Sequence, residues 1–299
     1  MKTLGIEENF LSIDDEYSNF KDSEITIISA PYEYTVSYGE GTKHGPNGII
    51  EASHYVEFYD DEFDRELCFD KGICTLVPLD FSGLKDSEGL EKIYEEVGKM
   101  LAAGKFVVTL GGEHTISQAP IKAHFEKYPK MSILHFDAHS DLRDEYEGSP
   151  LSHASVMASV AEFFPTENIT QVGIRAQCIE EAKFIKENKI KTFYASAIRR
   201  GIHGKNWQKE VASTLGDLVY VTFDVDYFDP SIMPSTGTPE PDGFLYSETL
   251  DIFREISKQG KRIVGFDVVE LAPVKGLSHP DMTAARLVYK VLNFAFPKT

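Results

Sequence analysis

The sequence is short of cysteine, tryptophan and positive charge. Only three cysteines, Cys68, Cys74 and Cys178, occur in 299 residues, and none is paired in a CxxC. That excludes a disulfide-stapled scaffold and a thiolate zinc site, and fits free thiols in a reducing compartment. Lysine and arginine number 30 against 48 aspartates and glutamates, a net charge of −18. Nucleic acids and anionic membrane surfaces demand clustered cations, so neither is an expected partner. No run approaches the 18 uninterrupted apolar residues of a membrane span. The first twenty residues, MKTLGIEENFLSIDDEYSNF, are acidic and lack the apolar stretch of a secretion signal. The expectation is a soluble, cytoplasmic protein. Repeats and Pro/Gly/Ser-rich linkers are also missing.

What the sequence does contain is enough apolar surface to fold. Hydrophobic residues make up 42% and aromatics 12%, and a chain of this size buries about 75% of its unfolded surface. Residues 1–24 read as an N-terminal arm and 25–299 as one domain. Nearly continuous apolar runs lie at 25–30, 73–78, 105–110, 131–136, 169–174, 191–196, 218–226 and 262–270. Most are β-branched, as buried parallel strands are. Between them lie amphipathic segments at 87–104, 179–189, 205–215 and 247–259. In the first, Leu90, Ile93, Tyr94, Val97, Met100 and Leu101 recur at helical spacing before Gly104. The alternation predicts an α/β fold with a mostly parallel sheet covered by helices on both faces. In such sheets, ligands bind beyond the carboxyl ends of the strands.

Chemistry-bearing residues sit at those ends. MSILHF runs into Asp137-Ala-His139-Ser-Asp141, where extended backbone would turn Asp137, His139 and Asp141 to one side. LVYVTF runs into Asp224-Val-Asp226, a second such pair. KFVVTL runs into Gly111-Gly112-Glu113-His114, where two glycines permit a tight turn. Four carboxylates and two imidazoles converging at strand ends are costly unless a cation lies between them. Oxygen-rich ligands with two histidines suit a first-row divalent ion such as Mn²⁺. Six ligands carrying four negative charges suit two ions that share carboxylates.

These segments resemble the ureohydrolase (arginase/agmatinase) family, in order and spacing over most of the chain. The matching stretches are GGEHT (111–115), HFDAHSD (135–141), SHAS (152–155), TFDVDYFDPSIMPSTGTPEPDG (222–243) and VVELAP (268–273). GTKHGPNGI, within 31–49, and DMTAARL (281–287) extend the likeness at either end. The resemblance implies a three-layer α/β/α domain with a two-manganese centre. It implies that His114 and Asp141 hold one ion, that His139 and Asp226 hold the other, and that Asp137 and Asp224 bridge both. It implies His153 as the catalytic histidine and Glu270 as the carboxylate that holds the substrate guanidinium. It also implies a homo-oligomer, a trimer or hexamer.

The implied reaction is hydrolysis of a guanidino group to urea and an amine. The stretch LRDEYEGSPLS (142–152) resembles the agmatinase branch. Leu151 stands where arginases carry an asparagine that binds the amino-acid carboxylate, so a substrate without that carboxylate is expected. Asp144, Glu145 and Glu147 are candidates to attract its distal ammonium. Agmatine, yielding putrescine and urea, is the first expectation. Aminopropylagmatine, guanidinobutyrate, guanidinopropionate, arginine and formiminoglutamate are the alternatives, and Lys43, Arg143 and Arg175 are the cations that could favour an anionic one. A catalytically inactive metal-binding homologue, or a one-metal deacetylase of similar architecture, would differ in metal stoichiometry and in product.

Overall fold

The structure, a computed structural model, describes every residue except Val36 and Thr299. Among the described residues there are ten strands: β1 (Ile25–Ala30), β2 (Tyr59–Asp60), β3 (Arg65–Glu66), β4 (Ile73–Thr75), β5 (Phe106–Gly111), β6 (Ser132–Phe136), β7 (Ile169–Val172), β8 (Lys191–Phe193), β9 (Leu218–Asp224) and β10 (Arg262–Val269). Eight form one sheet in the order β4-β1-β5-β10-β9-β6-β7-β8. Every pairing in it is parallel. β2 and β3 form a small antiparallel ribbon that the apolar pattern does not announce.

Alternation along the strands sends side chains into two cores. Val219, Val221 and Phe223 of β9 join Phe266 and Val268 of β10 beneath the helices Gly45–Ser53, Trp207–Thr214, Tyr246–Lys258 and His279–Ala295. The opposite face packs on Ser87–Ala102, Gln118–Lys127 and Val156–Ala161. In the first of these, Ile93, Val97, Met100 and Leu101 are buried as their spacing predicts, and Gly104 in left-handed backbone (φ +79°) follows its end. Each such side chain contributes about 1.5–3 kcal/mol of burial.

Phe20 reaches the opposite face, and residues 10–17 lie against the first layer. Phe10, Leu11 and Ile13 belong to its core. The Leu11 amide donates to Ser53 Oγ at 2.7 Å, and the Phe10 amide to Thr75 Oγ1 at 2.9 Å. Among the described residues, no helix is long and apolar enough to cross a membrane.

Candidate metal centre and active site

Four central strands deliver the site. In sheet order they are β5, β10, β9 and β6, and each turns aside at its carboxyl end. After β5 the chain passes through Gly112, whose missing side chain is essential: a Cβ there would stand 2.0 Å from the Tyr32 carbonyl oxygen. That close passage starts the 3-10 turn His114–Ser117 at the sheet centre. Asp141 and Glu270 both adopt left-handed backbone, with φ of +53° and +66°. Such backbone is costly for residues with a side chain and persists where the surroundings impose it. The extended reading of 137–141 therefore holds at its start and not at its end, because a turn carries Asp141 to its place. The same turn spends Ala138 and Ser140 elsewhere, Ala138 through its carbonyl to the Arg175 and Ala176 amides and Ser140 through its hydroxyl to Gln177.

The six predicted ligands converge. His114 Nδ1 lies 3.0 Å from Asp137 Oδ2, 3.1 Å from Asp141 Oδ2 and 3.3 Å from Asp224 Oδ2. His139 Nδ1 lies 2.9 Å from Asp226 Oδ2 and 3.5 Å from Asp137 Oδ1. Two ligand groups result, one of His114, His135, Asp137 and Asp141 and one of Asp137, His139 and Asp226; Asp137 belongs to both, and Asp224 stands beside the first through its contact with His114. All but His139 are buried.

The electrostatics call for positive charge. Burial disfavours charge on His114, yet Asp137, Asp141 and Asp224 around it raise its pKa well above the usual value. Burial, and then the neighbouring carboxylates, push Asp141 up to about 7 and Asp224 well upward. Burial also works against ionised Asp137, but His114, His135 and His139 hold its pKa well down. A cation at the centre of these groups would relieve the mutual repulsion.

The donors fit a metal in a second respect. His114 Nδ1 is buried beside three carboxylate oxygens, yet it is aligned in a hydrogen bond with none of them. Ligand atoms gathered close together, rather than aimed at one another, suit a shared cation. The far nitrogen is anchored: His114 Nε2 meets Thr222 Oγ1 at 3.0 Å, and that hydroxyl donates to Asp267 Oδ1 at 2.7 Å. Ser117 and Tyr220 also donate to Asp267, at 2.9 and 2.7 Å. Outer partners of this kind orient ligating histidines. His135, which its place one strand period before Asp137 leaves open between an outer partner of the metal motif and core packing, does the same for Asp137, with Nε2 2.8 Å from Oδ2 while Gln171 Nε2 meets its Nδ1 at 3.1 Å.

A cleft of about 140 Å³ opens over the cluster, lined in part by His139, Asp224, Tyr146, His153, Thr238 and Glu270. Glu270 Oε1 accepts the His114 amide at 2.6 Å, and burial pushes the Glu270 carboxyl up to about 8. Asp144 and Glu145 are exposed and do not line this cleft; Glu147 lines a neighbouring hollow of about 460 Å³, with Tyr34, Asp86 and Tyr146. Two of the three cations singled out in the sequence are committed elsewhere. Lys43 pairs with Glu33 at 2.9 Å. Arg175 donates only to backbone carbonyls. Arg143 lines the cleft but lies over the Tyr146 ring, with its Nε 3.9 Å from Glu181. Sequence reading missed Thr35, Ser37, Glu113, Tyr146 and Thr238. Only Glu113 carried a signal, from its place in GGEH.

The sequence profile of the Arginase family matches residues 23–293. The chain belongs to that family. An N(1)-aminopropylagmatine ureohydrolase from Synechocystis sp. is 37% identical over 93% of this chain and 90% of its own length. An agmatinase from Bacillus anthracis is 39% identical over 92% of this chain and 93% of its own. Among solved structures, the agmatine ureohydrolase of Thermoplasma volcanium superposes with a TM-score of 0.84 at 25% identity, covering 94% of this chain and 92% of that one. The arginase fold of this chain, and a buried His/Asp cluster able to hold two metal ions, thus agree with the likeness carried by GGEH, DAHSD and DVD.

Proposed function

We propose that this arginase-family chain hydrolyses agmatine to putrescine and urea, with two manganese ions per chain held by His114, Asp137, His139, Asp141, Asp224 and Asp226. Two ions in that cluster would supply a hydroxide nucleophile at neutral pH. Manganese rather than zinc suits four carboxylates with two imidazoles and no thiolate.

The chain's own groups then handle the substrate. Glu270, at the cleft wall, pairs with the planar guanidinium through parallel charge-assisted hydrogen bonds and sets its carbon over the cluster. The cation in turn stabilises the ionised form of this carboxyl, which burial would otherwise keep protonated. His153, also on the wall, gives a proton to the departing amine nitrogen, so that urea and a neutral amine separate.

The observation that carries this reading is the six-ligand cluster beneath a wall formed by Glu270 and His153. The substrate choice rests on charge. Lys43 and Arg175 are engaged by a glutamate and by carbonyls, and Arg143, the one of the three at the cleft, lies over the Tyr146 ring, so a substrate carboxylate would have Arg143 alone among them to meet. N1-aminopropylagmatine is the second reading, supported by the hollow beyond Tyr146 with Asp86 and Glu147 on its wall. An assay of Mn²⁺-dependent urea release across agmatine, aminopropylagmatine, arginine and guanidino acids decides. Highest kcat/KM for agmatine supports the first reading, and highest kcat/KM for an anionic guanidino acid defeats it. A trimeric or hexameric assembly, a cytoplasmic location and a role in polyamine synthesis complete the proposal; light scattering of the purified protein tests the first of these.

A further inference from the structure

Glu113, Thr35 and Ser37 surround the proposed proton donor without touching the metal ligands' side chains. We infer that Glu113 and Thr35 are positioning residues that hold His153 in the tautomer protonated on Nδ1, leaving Nε2 as the nitrogen that takes and gives protons. Its catalytic consequence rests on the reading of His153 above; the tautomer itself does not.

The argument is a count of donors and lone pairs. Glu113 is 1% exposed. Its Oε2 accepts the amides of Tyr34 and Thr35, both at 2.7 Å, and backbone amides can only donate. Its Oε1 receives the Thr35 hydroxyl at 3.0 Å. A hydroxyl has one proton and two lone pairs. Burial pushes the Glu113 carboxyl up, but the two amides on Oε2 and the Thr35 hydroxyl on Oε1 all favour its ionised form. Against the carboxylate the Thr35 proton is spent, and Oγ1 can only accept from its other neighbours. One is the His153 backbone amide at 3.1 Å, and the other is His153 Nδ1 at 3.2 Å. Nδ1 must therefore carry hydrogen. The opposite tautomer would set an imidazole lone pair against a hydroxyl lone pair.

The consequence falls at the other nitrogen. His153 Nε2 meets Ser37 Oγ at 3.2 Å, and Ser37 is exposed. In each turnover, Nε2 of the imidazolium releases its proton to the amine nitrogen as the C–N bond breaks, and the ring returns to the neutral Nδ1–H form. Solvent on the Ser37 side then restores the proton at Nε2. Nδ1 keeps its hydrogen throughout, so the ring need not flip between turnovers. Where a histidine is held in the wrong tautomer, kcat falls steeply although the geometry survives.

The test is a long-range ¹⁵N–¹H correlation spectrum of the full-length protein loaded with zinc, which is diamagnetic. His153 resonances are assigned by their loss in His153→Ala. Burial brings the His153 pKa down, and at a pH where the ring is neutral the wild type is expected to show hydrogen on Nδ1 alone. Thr35→Val, which keeps the shape and removes the hydroxyl, is expected to show mixed tautomers. With Mn²⁺, its kcat should fall by at least about tenfold while KM stays within about twofold. Thr35→Ser should restore the single tautomer and most of kcat. Hydrogen on Nε2 of the neutral wild-type ring overturns the proposal, and that spectrum decides even if the valine variant fails to fold. A Thr35→Val protein with unchanged tautomer also overturns it, whatever its kcat. Failure of every guanidino compound to release urea would remove the proposed function and leave the tautomer result standing.

Discussion

Arg175 Nη2 donates to the backbone carbonyl of Asp226 at 2.7 Å. The same guanidinium reaches the carbonyls of Gly173, Tyr227, Phe228, Glu240 and Pro241. One side chain thus ties the turn after β7 to both ends of the loop after β9. That loop carries Asp226 and also Thr238, whose hydroxyl lies 3.4 Å from Asp226 Oδ2. A planar fork of five N–H donors is the only side chain that can serve so many acceptors in fixed directions.

Arg175→Lys should therefore act on the loop although the charge is kept. A lysine satisfies at most three carbonyls and leaves others unpaired, at about 1–3 kcal/mol each where no water replaces the guanidinium. The expected outcome is a loss of about 2–4 kcal/mol in denaturant unfolding and weaker binding of the second Mn²⁺ equivalent by calorimetry.

Asp224 accepts the Asp226 amide through Oδ1 at 2.8 Å and turns Oδ2 toward His114. Asp224→Asn keeps the shape and removes a negative charge. Metal content by mass spectrometry should drop from two ions per chain to one or fewer, and urea release should fall by a hundredfold or more, on the order expected when a metal-generated nucleophile is lost.

Glu270→Gln tests the guanidinium contact separately from the metals. The glutamine can still accept the His114 amide, so metal content should hold. With agmatine, kcat/KM should fall by about a hundredfold, the worth of one or two charge-assisted hydrogen bonds. An unchanged kcat/KM would remove Glu270 from the substrate's path.

His124 offers a stability test away from the site. Its Nδ1 donates to the Pro120 carbonyl at 2.7 Å, while Nε2 is buried without a partner against Gly265 of β10. Burial lowers its pKa from 6.5 to about 4. As pH falls below 6.5 the unfolded chain takes the proton first, so stability present above that pH is lost progressively toward pH 4. The loss amounts to about 3 kcal/mol. Urea unfolding across this window should show a shallower pH slope in His124→Asn than in the wild type.

Most of the scaffold was legible because buried parallel strands are written as apolar runs. The runs at 25–30 and 262–270 coincide with β1 and β10 to within a residue. The run at 73–78 shortens to Ile73–Thr75, since its hydrophobicity serves loop packing after pairing with β1 ends. Asp137, His139, Asp224 and Asp226 were legible from spacing because each lies within two residues of a strand's last turn toward the cleft. Asp144, Glu145 and Glu147 do not line the cleft over the cluster; composition gives a loop's charge and not its direction. Thr35 and Ser37 were invisible for a different reason. Their role depends on His153, more than a hundred positions away, and hydroxyls in a loop carry no pattern of their own.

β10 is late in the chain, at 262–269, yet it lies between β5 and β9 at the middle of the sheet. A nascent polypeptide lacking it presents two bare strand edges flanking a vacant slot, a template for pairing with other chains. Translation thus leaves the centre of the sheet until last, and His114 and Asp224 are not joined through the sheet until Arg262–Val269 has emerged. Chaperone engagement and aggregation during synthesis should concentrate in that interval, and ribosome-bound chains stalled before Arg262 should be the ones that bind holdases.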